Sequence, residues 1–336
     1  MKYFIIAALS VLSISCNSAQ NTSKQKMTRV DYANSITSEE LKELLYTYAG
    51  DKMEGRMTGS KGQKMATEFI RNFYKEHNIA SPDGVTNYYQ TVPAEFLDRL
   101  KEPSDSENVI AYIKGSEKPD EIIILSAHLD HVGKDNDGNV FNGADDDGSG
   151  TVAMLEMAEA FQQAVEDGNG PKRSILFLHV TGEEIGLYGS RYYTENPIFP
   201  LENTVANLNT DMIGRIDPDK IDTPNYIYLI GSDKLSQELH DVSEAINKEY
   251  INLELDYTYN DENDPNRFYY RSDHYNFAKN NIPIIFYFNG THEDYHKISD
   301  TPDKIEYELM TKRTQLIFQT AWELANREGR ITADKL

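Results

Sequence analysis

Four short stretches of the chain are almost entirely apolar and show no alternation of polar positions. They are EIIILSA at 121–127, SILFLHV at 174–180, TVANLN at 204–209 and PIIFYF at 283–288. Continuous runs of Ile, Leu, Val and Phe of this length are typical of strands buried on both faces. We therefore predict four central strands of one sheet.

Helical periodicity surrounds these runs. Apolar residues three and four positions apart predict amphipathic helices over Ser38 to Ala49 and Gly62 to His77, and a further helix over Thr151 to Val165 separates the first two strands. Buried strands separated by helices predict an α/β fold with a doubly wound, mostly parallel mixed sheet and helices on both faces.

The first sixteen residues have the pattern of an export signal. Lys2 precedes an apolar run from Tyr3 to Leu12, which is too short to span a bilayer and suits a signal peptide. Cys16, the only cysteine, follows small Ser15 and resembles the lipobox of bacterial lipoprotein signals. An ordinary signal peptide that contains a cysteine is the alternative. We expect residues 1–16 to direct export, with a lipid anchor at Cys16 in the periplasm or at the cell surface.

The next segment divides this signal from the folded part of the chain. Residues 17–35 are polar and lack an apolar period, which predicts a flexible tether. No internal repeat or second linker follows, so we predict one domain over 36–336, and we expect it to be a monomer.

Composition restricts the partners. The 336 residues carry a formal net charge of -22, with a sequence pI of about 4.7. Nucleic acid and anionic membrane surfaces require a basic face, so both are excluded as partners, and membrane contact is expected only through the lipid at Cys16. A divalent cation suits this charge.

Acids and histidines follow each predicted strand. In doubly wound sheets the ligand crevice lies beyond the carboxyl ends of the strands. The four runs are followed by HLDH at 128–131, TGEE at 181–184, Asp211, and NGTHEDYH at 289–296. We expect these groups to converge with NGADDDGSG at 142–150. His131, His274 and His292 also lie near these motifs, either as supporting groups or merely exposed.

Three adjacent aspartates, Asp145 to Asp147, repel one another unless a cation compensates them. Histidines and carboxylates form a nitrogen and oxygen ligand set that suits zinc or a similar divalent ion. Three ligand carboxylates and a hydroxide balance two such ions, which predicts a metal pair bridged by one aspartate. An exposed acidic turn remains an alternative. A calcium loop from Asp145 to Glu156 is another, although the residues before it do not form a helical pattern.

Seven motifs in order carry a resemblance to a known family. They are MEGRMTGSKG, AHLDHVG, NGADDDGSG, TGEEIGLYGS, LNTDMIGR, RSDHYNFAKNNIPIIFYF and DYHKISDTPDKI. From about Asp51 onward, the chain resembles the zinc aminopeptidases of peptidase family M28, which also includes glutaminyl cyclases. This resemblance implies a zinc-peptidase-like single domain.

The resemblance also implies five metal ligands shared by two zinc ions. The ligands of one ion are His128, Asp146 and Asp211, and those of the other are Asp146, Glu184 and His296, with Asp146 as the bridge. Family members have a cis peptide bond after the bridging residue.

The remaining roles follow from the same resemblance. Glu183 is the general base for zinc-activated hydroxide, and Tyr295 donates its hydroxyl to the oxyanion. Asp130 accepts the second N–H of His128 and orients its ring.

These features predict an exported di-zinc aminopeptidase that releases N-terminal residues from peptides. A glutaminyl cyclase-like acyltransferase is one alternative, although the presence of both ligand sets favours hydrolysis. A non-catalytic binding lipoprotein is the other, and its usual sign is the loss of ligands.

Overall fold

The computed structural model describes residues 27–336. The predicted signal peptide, its Cys16 and residues 17–26 lie outside the described residues. The end of the predicted tether is folded, because Arg29–Asn34 form helix α1 with a capping box at Thr28. Buried Tyr32 stacks on Trp322 at 5.5 Å between ring centroids. Residues 29–34 therefore do not belong to a flexible tether, and their helix is too short to show an apolar period in the sequence.

One mixed sheet of eight strands forms the centre of the molecule, in the order β1-β2-β4-β3-β5-β8-β6-β7. The strands are β1 Tyr89–Val92, β2 Ser106–Ile113, β3 Lys118–His128, β4 Arg173–Val180, β5 Thr204–Thr210, β6 Tyr226–Ile230, β7 Glu254–Asp256 and β8 Ile284–Phe288. The contiguous strands β4, β3, β5 and β8 run parallel. They are the four apolar runs, so the predicted α/β fold is confirmed.

Helices cover both faces of this sheet. After α1 they are α2 Ser38–Tyr48, α3 Lys61–Glu76, α4 Gly150–Glu166, α5 Tyr188–Glu195, α6 Gln237–Ile246, α7 His274–Ala278 and α8 Tyr307–Asn326. Along β3, Ile123 and Leu125 join the core that contains α4 and α8, whereas Ile122 and Ile124 join the core that contains α5 and α7. This alternation is the reason that β3 is apolar throughout. Across residues 27–336, every helix is too short or too polar to cross a bilayer.

Glu156 on α4 is a buried acid whose removal we expect to stabilise the fold. It is 4% exposed, and burial together with the charges of Glu40 and Glu159 raises its pKa to about 8. The folded chain therefore binds this proton more tightly than the unfolded chain, and stability falls as pH rises from about 4.5 through about 8. Glu156→Gln should raise the free energy of unfolding by about 2 to 4 kcal/mol at pH 8, and by little at pH 4.5.

Urea unfolding at both pH values measures this difference. Glu39→Gln, on the exposed first turn of α2, is the control and should change neither value by more than about 0.5 kcal/mol. An equal effect of Glu156→Gln at both pH values would contradict the assignment.

Candidate metal centre

The carboxyl ends of the parallel strands bring the first predicted ligands together. His128 is the last residue of β3, and Asp211 directly follows the adjacent parallel strand β5. Their side chains meet at 3.6 Å between His128 Nε2 and Asp211 Oδ1. Ser272 donates its hydroxyl to Asp211 Oδ2 at 2.6 Å, which leaves Oδ1 directed at the imidazole.

Asp146 lies between two imidazoles. Its Oδ1 is 3.0 Å from His128 Nε2, and its Oδ2 is 2.9 Å from His296 Nε2. The peptide bond between Asp146 and Asp147 is cis, as the resemblance implied. A carboxylate whose two oxygens face different imidazoles has the arrangement that a bridging ligand requires.

Glu184 completes the second group of predicted ligands. Its Oε2 lies 3.1 Å from His296 Nε2, and its Oε1 lies 2.7 Å from Nδ1 of His131. The structure thus brings all five predicted ligands to one place and adds His131 to them. Their roles as ligands stay a prediction.

The chemistry of these groups fits a cation. Asp146 Oδ2, Glu184 Oε1 and both ring nitrogens of His131 are buried and have no hydrogen-bond partner within the described residues. Burial lowers the pKa of His128, but Asp211, Glu183 and Asp146 raise it well above its usual range. Unpartnered donor atoms in a strongly negative buried site suit a divalent ion, and their nitrogen and oxygen types suit zinc.

The other two aspartates of the triplet hold loops in place. Asp147 accepts backbone N–H groups from His128, Gly150 and Met212 at 3.1, 2.8 and 3.2 Å. Asp145 accepts the N–H of Gly214 at 2.6 Å. All three aspartates are buried, which excludes the exposed acidic turn. The calcium loop also fails, because no helix lies in the described residues 134–143 that precede the triplet.

Asp130 differs from its predicted role. Its carboxylate lies 3.9 Å from His128 Nδ1, beyond hydrogen-bond distance, while its backbone carbonyl oxygen lies at 3.1 Å. The carboxylate instead accepts from the Thr58 hydroxyl at 2.7 Å and from the backbone N–H of Glu183 at 3.2 Å. Asp130 therefore orients His128 through its main chain and holds the Glu183 loop with its side chain.

Glu183 and Tyr295 face a cavity beside the metal centre. The cavity is lined by Asp146, Glu183, Asp211, Met212, Phe268, Arg271, Phe286, Phe288, Thr291 and Tyr295. Burial raises the pKa of Glu183 well above its usual range, and the charges of Glu184 and Asp211 add to this. Burial and the neighbouring carboxylates also raise the pKa of Tyr295, so its hydroxyl keeps its proton. The adjacent glutamates thus have different surroundings, since the carboxylate of Glu184 makes direct contacts with imidazole nitrogens at 2.7 and 3.1 Å, whereas Glu183 lines the cavity.

Two of the three other histidines that lie near the motifs, His274 and His292, are not among the grouped ligands. His292 Nε2 lies 3.2 Å from Asp145 Oδ2, on the loop that carries His296. His274 stacks on Phe286 and contacts the carbonyl oxygen of Tyr269 at 2.8 Å.

Sequence reasoning missed the part played by Arg56. Its guanidinium is buried and donates to the carbonyl oxygens of Tyr48, Leu129, Asn142 and Gly143 at 2.6 to 3.3 Å. Arg56 thereby joins the loop after β3 to the loop that carries Asp146. Arg56 is part of the motif MEGRMTGSKG, but the sequence around a single arginine does not reveal which carbonyl groups it contacts.

We expect Arg56→Met to destabilise the fold by about 2 to 4 kcal/mol, because four buried carbonyl groups lose their donor. Arg56→Lys should recover only part of this, since an ammonium group cannot reproduce the planar fork. Denaturant unfolding measures both. A change below about 1 kcal/mol for Arg56→Met would contradict this role.

Comparison with known proteins shows which family this chain belongs to. A zinc-suited cluster at the strand ends of a doubly wound sheet defines the class of metal-dependent α/β proteins. The model of peptidase family M28 matches residues 108–321. The chain belongs to this family.

Relatives and solved structures agree with this assignment. The chain is 30% identical over 169 residues to a probable zinc metalloprotease of Pyrenophora teres, in a match that covers 48% of this chain and 33% of that protein. The chain thus spans about a third of the length of this relative. The structure of the Legionella pneumophila LapA aminopeptidase is similar in fold, with a TM-score of 0.68, 21% identity and coverage of 89% of this chain and 75% of that one. The Porphyromonas gingivalis glutaminyl cyclase shares the fold too, with a TM-score of 0.64, 17% identity and coverage of 85% and 97%.

Proposed function

We propose that this chain is an exported aminopeptidase that holds two zinc ions and hydrolyses N-terminal residues from peptides. One observation carries the proposal: the two carboxylate oxygens of Asp146 face His128 on one side and His296 on the other. Family membership and the relatives named as a zinc metalloprotease and an aminopeptidase support it.

Zinc in such a site acts as a Lewis acid and makes water a nucleophile at neutral pH. Glu183 is the general base in this proposal, because its carboxyl lines the cavity while Glu184 is engaged with imidazoles. The Glu183 carboxylate takes a proton from the attacking water and passes it to the leaving amine as the peptide C–N bond breaks. The Tyr295 hydroxyl donates a hydrogen bond to the carbonyl oxygen, on which negative charge develops.

The cavity suits an apolar first side chain. Met212, Phe268, Phe286 and Phe288 form its apolar lining, and Asp146, Glu183 and Asp211 contribute its carboxylates. Burial of such a side chain against this lining contributes to binding, while the catalytic groups contact the adjacent peptide bond.

A panel of aminoacyl chromogens tests the activity. The proposal predicts zinc-dependent release of free amino acid, fastest for leucine and phenylalanine derivatives and slower for glycine and aspartate. The glutaminyl cyclase alternative predicts instead cyclisation of N-terminal glutamine without amino acid release. A binding lipoprotein predicts no turnover of any substrate.

Export and anchoring belong to the same proposal and rest on residues 1–16. Fatty-acid labelling in a bacterial host tests them: the intact chain should carry the label in the membrane fraction, and Cys16→Ser should lose it. Labelling of Cys16→Ser would contradict the anchor.

A further inference from the structure

His131 is a buried imidazole at the metal centre that the ordered motifs leave without a role. Its side chain is 0% exposed, and its backbone N–H donates to the carbonyl oxygen of Arg56 at 3.2 Å. Gly143 leaves room for the ring, because a Cβ at that position would lie 2.5 Å from His131 Cγ. The imidazole of His131 can therefore pack inside the site because residue 143 is a glycine.

The ring nitrogen Nδ1 of His131 faces the second group of predicted ligands. It lies 2.7 Å from Glu184 Oε1 and 3.9 Å from Asp146 Oδ2. One ligand atom from each of His131, Asp146 and Glu184 lies within 4.8 Å of the other two. Imidazole nitrogens and carboxylate oxygens grouped this closely are the pattern of donor atoms arranged around a common cation.

A comparison within the site supports this interpretation. His296 approaches the other oxygen of Glu184, with Nε2 at 3.1 Å from Oε2, and its side chain is 39% exposed. His131 and His296 therefore flank Glu184, one fully buried and one at the surface. Their ring centroids are 5.7 Å apart, which leaves both rings near the same carboxylate.

We propose that His131 is a fourth protein ligand of the metal position formed by Asp146, Glu184 and His296. This inference rests on the proposed two-zinc function. Its consequence is that the second ion has two imidazole ligands, so that loss of the exposed one leaves three ligands in place. Zinc commonly has four protein ligands in structural sites. In catalytic sites it commonly has three protein ligands and one position for water or substrate.

Zinc content in a zinc-buffered solution tests the proposal without any measurement of activity. We expect two ions per chain in the wild type and in His296→Ala, and one in the double variant His131→Ala/His296→Ala. The matched control is His292→Ala/His296→Ala, which removes a buried imidazole beside Asp145 and should keep two ions. Loss of one ion from His296→Ala alone would overturn the proposal, because Asp146 and Glu184 would then be the only other ligands.

A crystal structure of the zinc-loaded wild type tests the same point if the double variant does not fold. His131 Nδ1 should lie about 2.0 to 2.1 Å from zinc. A separation greater than about 3 Å would show that His131 only positions Glu184, and would overturn the inference while the proposed function stands. A wild type that binds fewer than two zinc ions would contradict both.

Discussion

Asp146→Ala should bind neither zinc ion tightly and should lose activity by roughly 10⁴-fold, since Lewis-acid catalysis supplies several kcal/mol of transition-state stabilisation. The reason is geometric, because one carboxylate faces the imidazoles of both predicted metal positions, at 3.0 and 2.9 Å. A single substitution therefore weakens two sites. Zinc analysis after gel filtration and the rate of amino acid release measure the two effects.

Asp145→Asn is the matched control in the same triplet. The asparagine keeps an oxygen to accept the N–H of Gly214, so the loop should retain its position. We expect two zinc ions per chain and activity within about tenfold of the wild type. Equal loss of zinc from both variants would contradict the special role of Asp146.

Glu183→Gln should retain both zinc ions and lose roughly 10²- to 10⁴-fold in kcat, the range expected for removal of a general base. Glutamine is nearly the same size but cannot accept a proton from water. Since Glu183 lines the cavity and the direct imidazole contacts belong to Glu184, the substitution Glu183→Gln should leave the ligand set intact. Zinc content and kcat are measured on the same preparation.

The adjacent Glu184→Gln is the control for position. Its two oxygens approach His131 and His296, so this variant should bind the second zinc ion more weakly. Full zinc content in Glu184→Gln, together with zinc loss from Glu183→Gln, would reverse the roles of the two glutamates.

The central strands could be predicted because burial on both faces makes them apolar throughout. Strands β3, β4, β5 and β8 match the four apolar runs closely. The outer strands β1, β2, β6 and β7 were missed. β1, β2 and β7 include polar residues, which interrupt an apolar pattern. The strand β6 is five buried residues long, as β8 is, so its run YIYLI was present in the sequence and was overlooked.

The residues of the site could be predicted from the sequence, but most of their contacts could not. The convergence of acids and histidines could be predicted from their positions after the strands. The choice of Asp146 among three aspartates came from the family resemblance. What sequence could not provide was the contacts: the buried fork of Arg56, the approach of His131 to Glu184, and the main-chain oxygen of Asp130 beside His128. Such contacts depend on how loops fold back on each other, which local patterns do not encode.

Anomalous scattering at the zinc edge from crystals of the zinc-loaded protein tests whether Asp146 bridges two ions. We expect two peaks about 3.5 to 4 Å apart, one on either side of the Asp146 carboxylate. A single peak, or peaks beyond the reach of Asp146, would contradict this expectation.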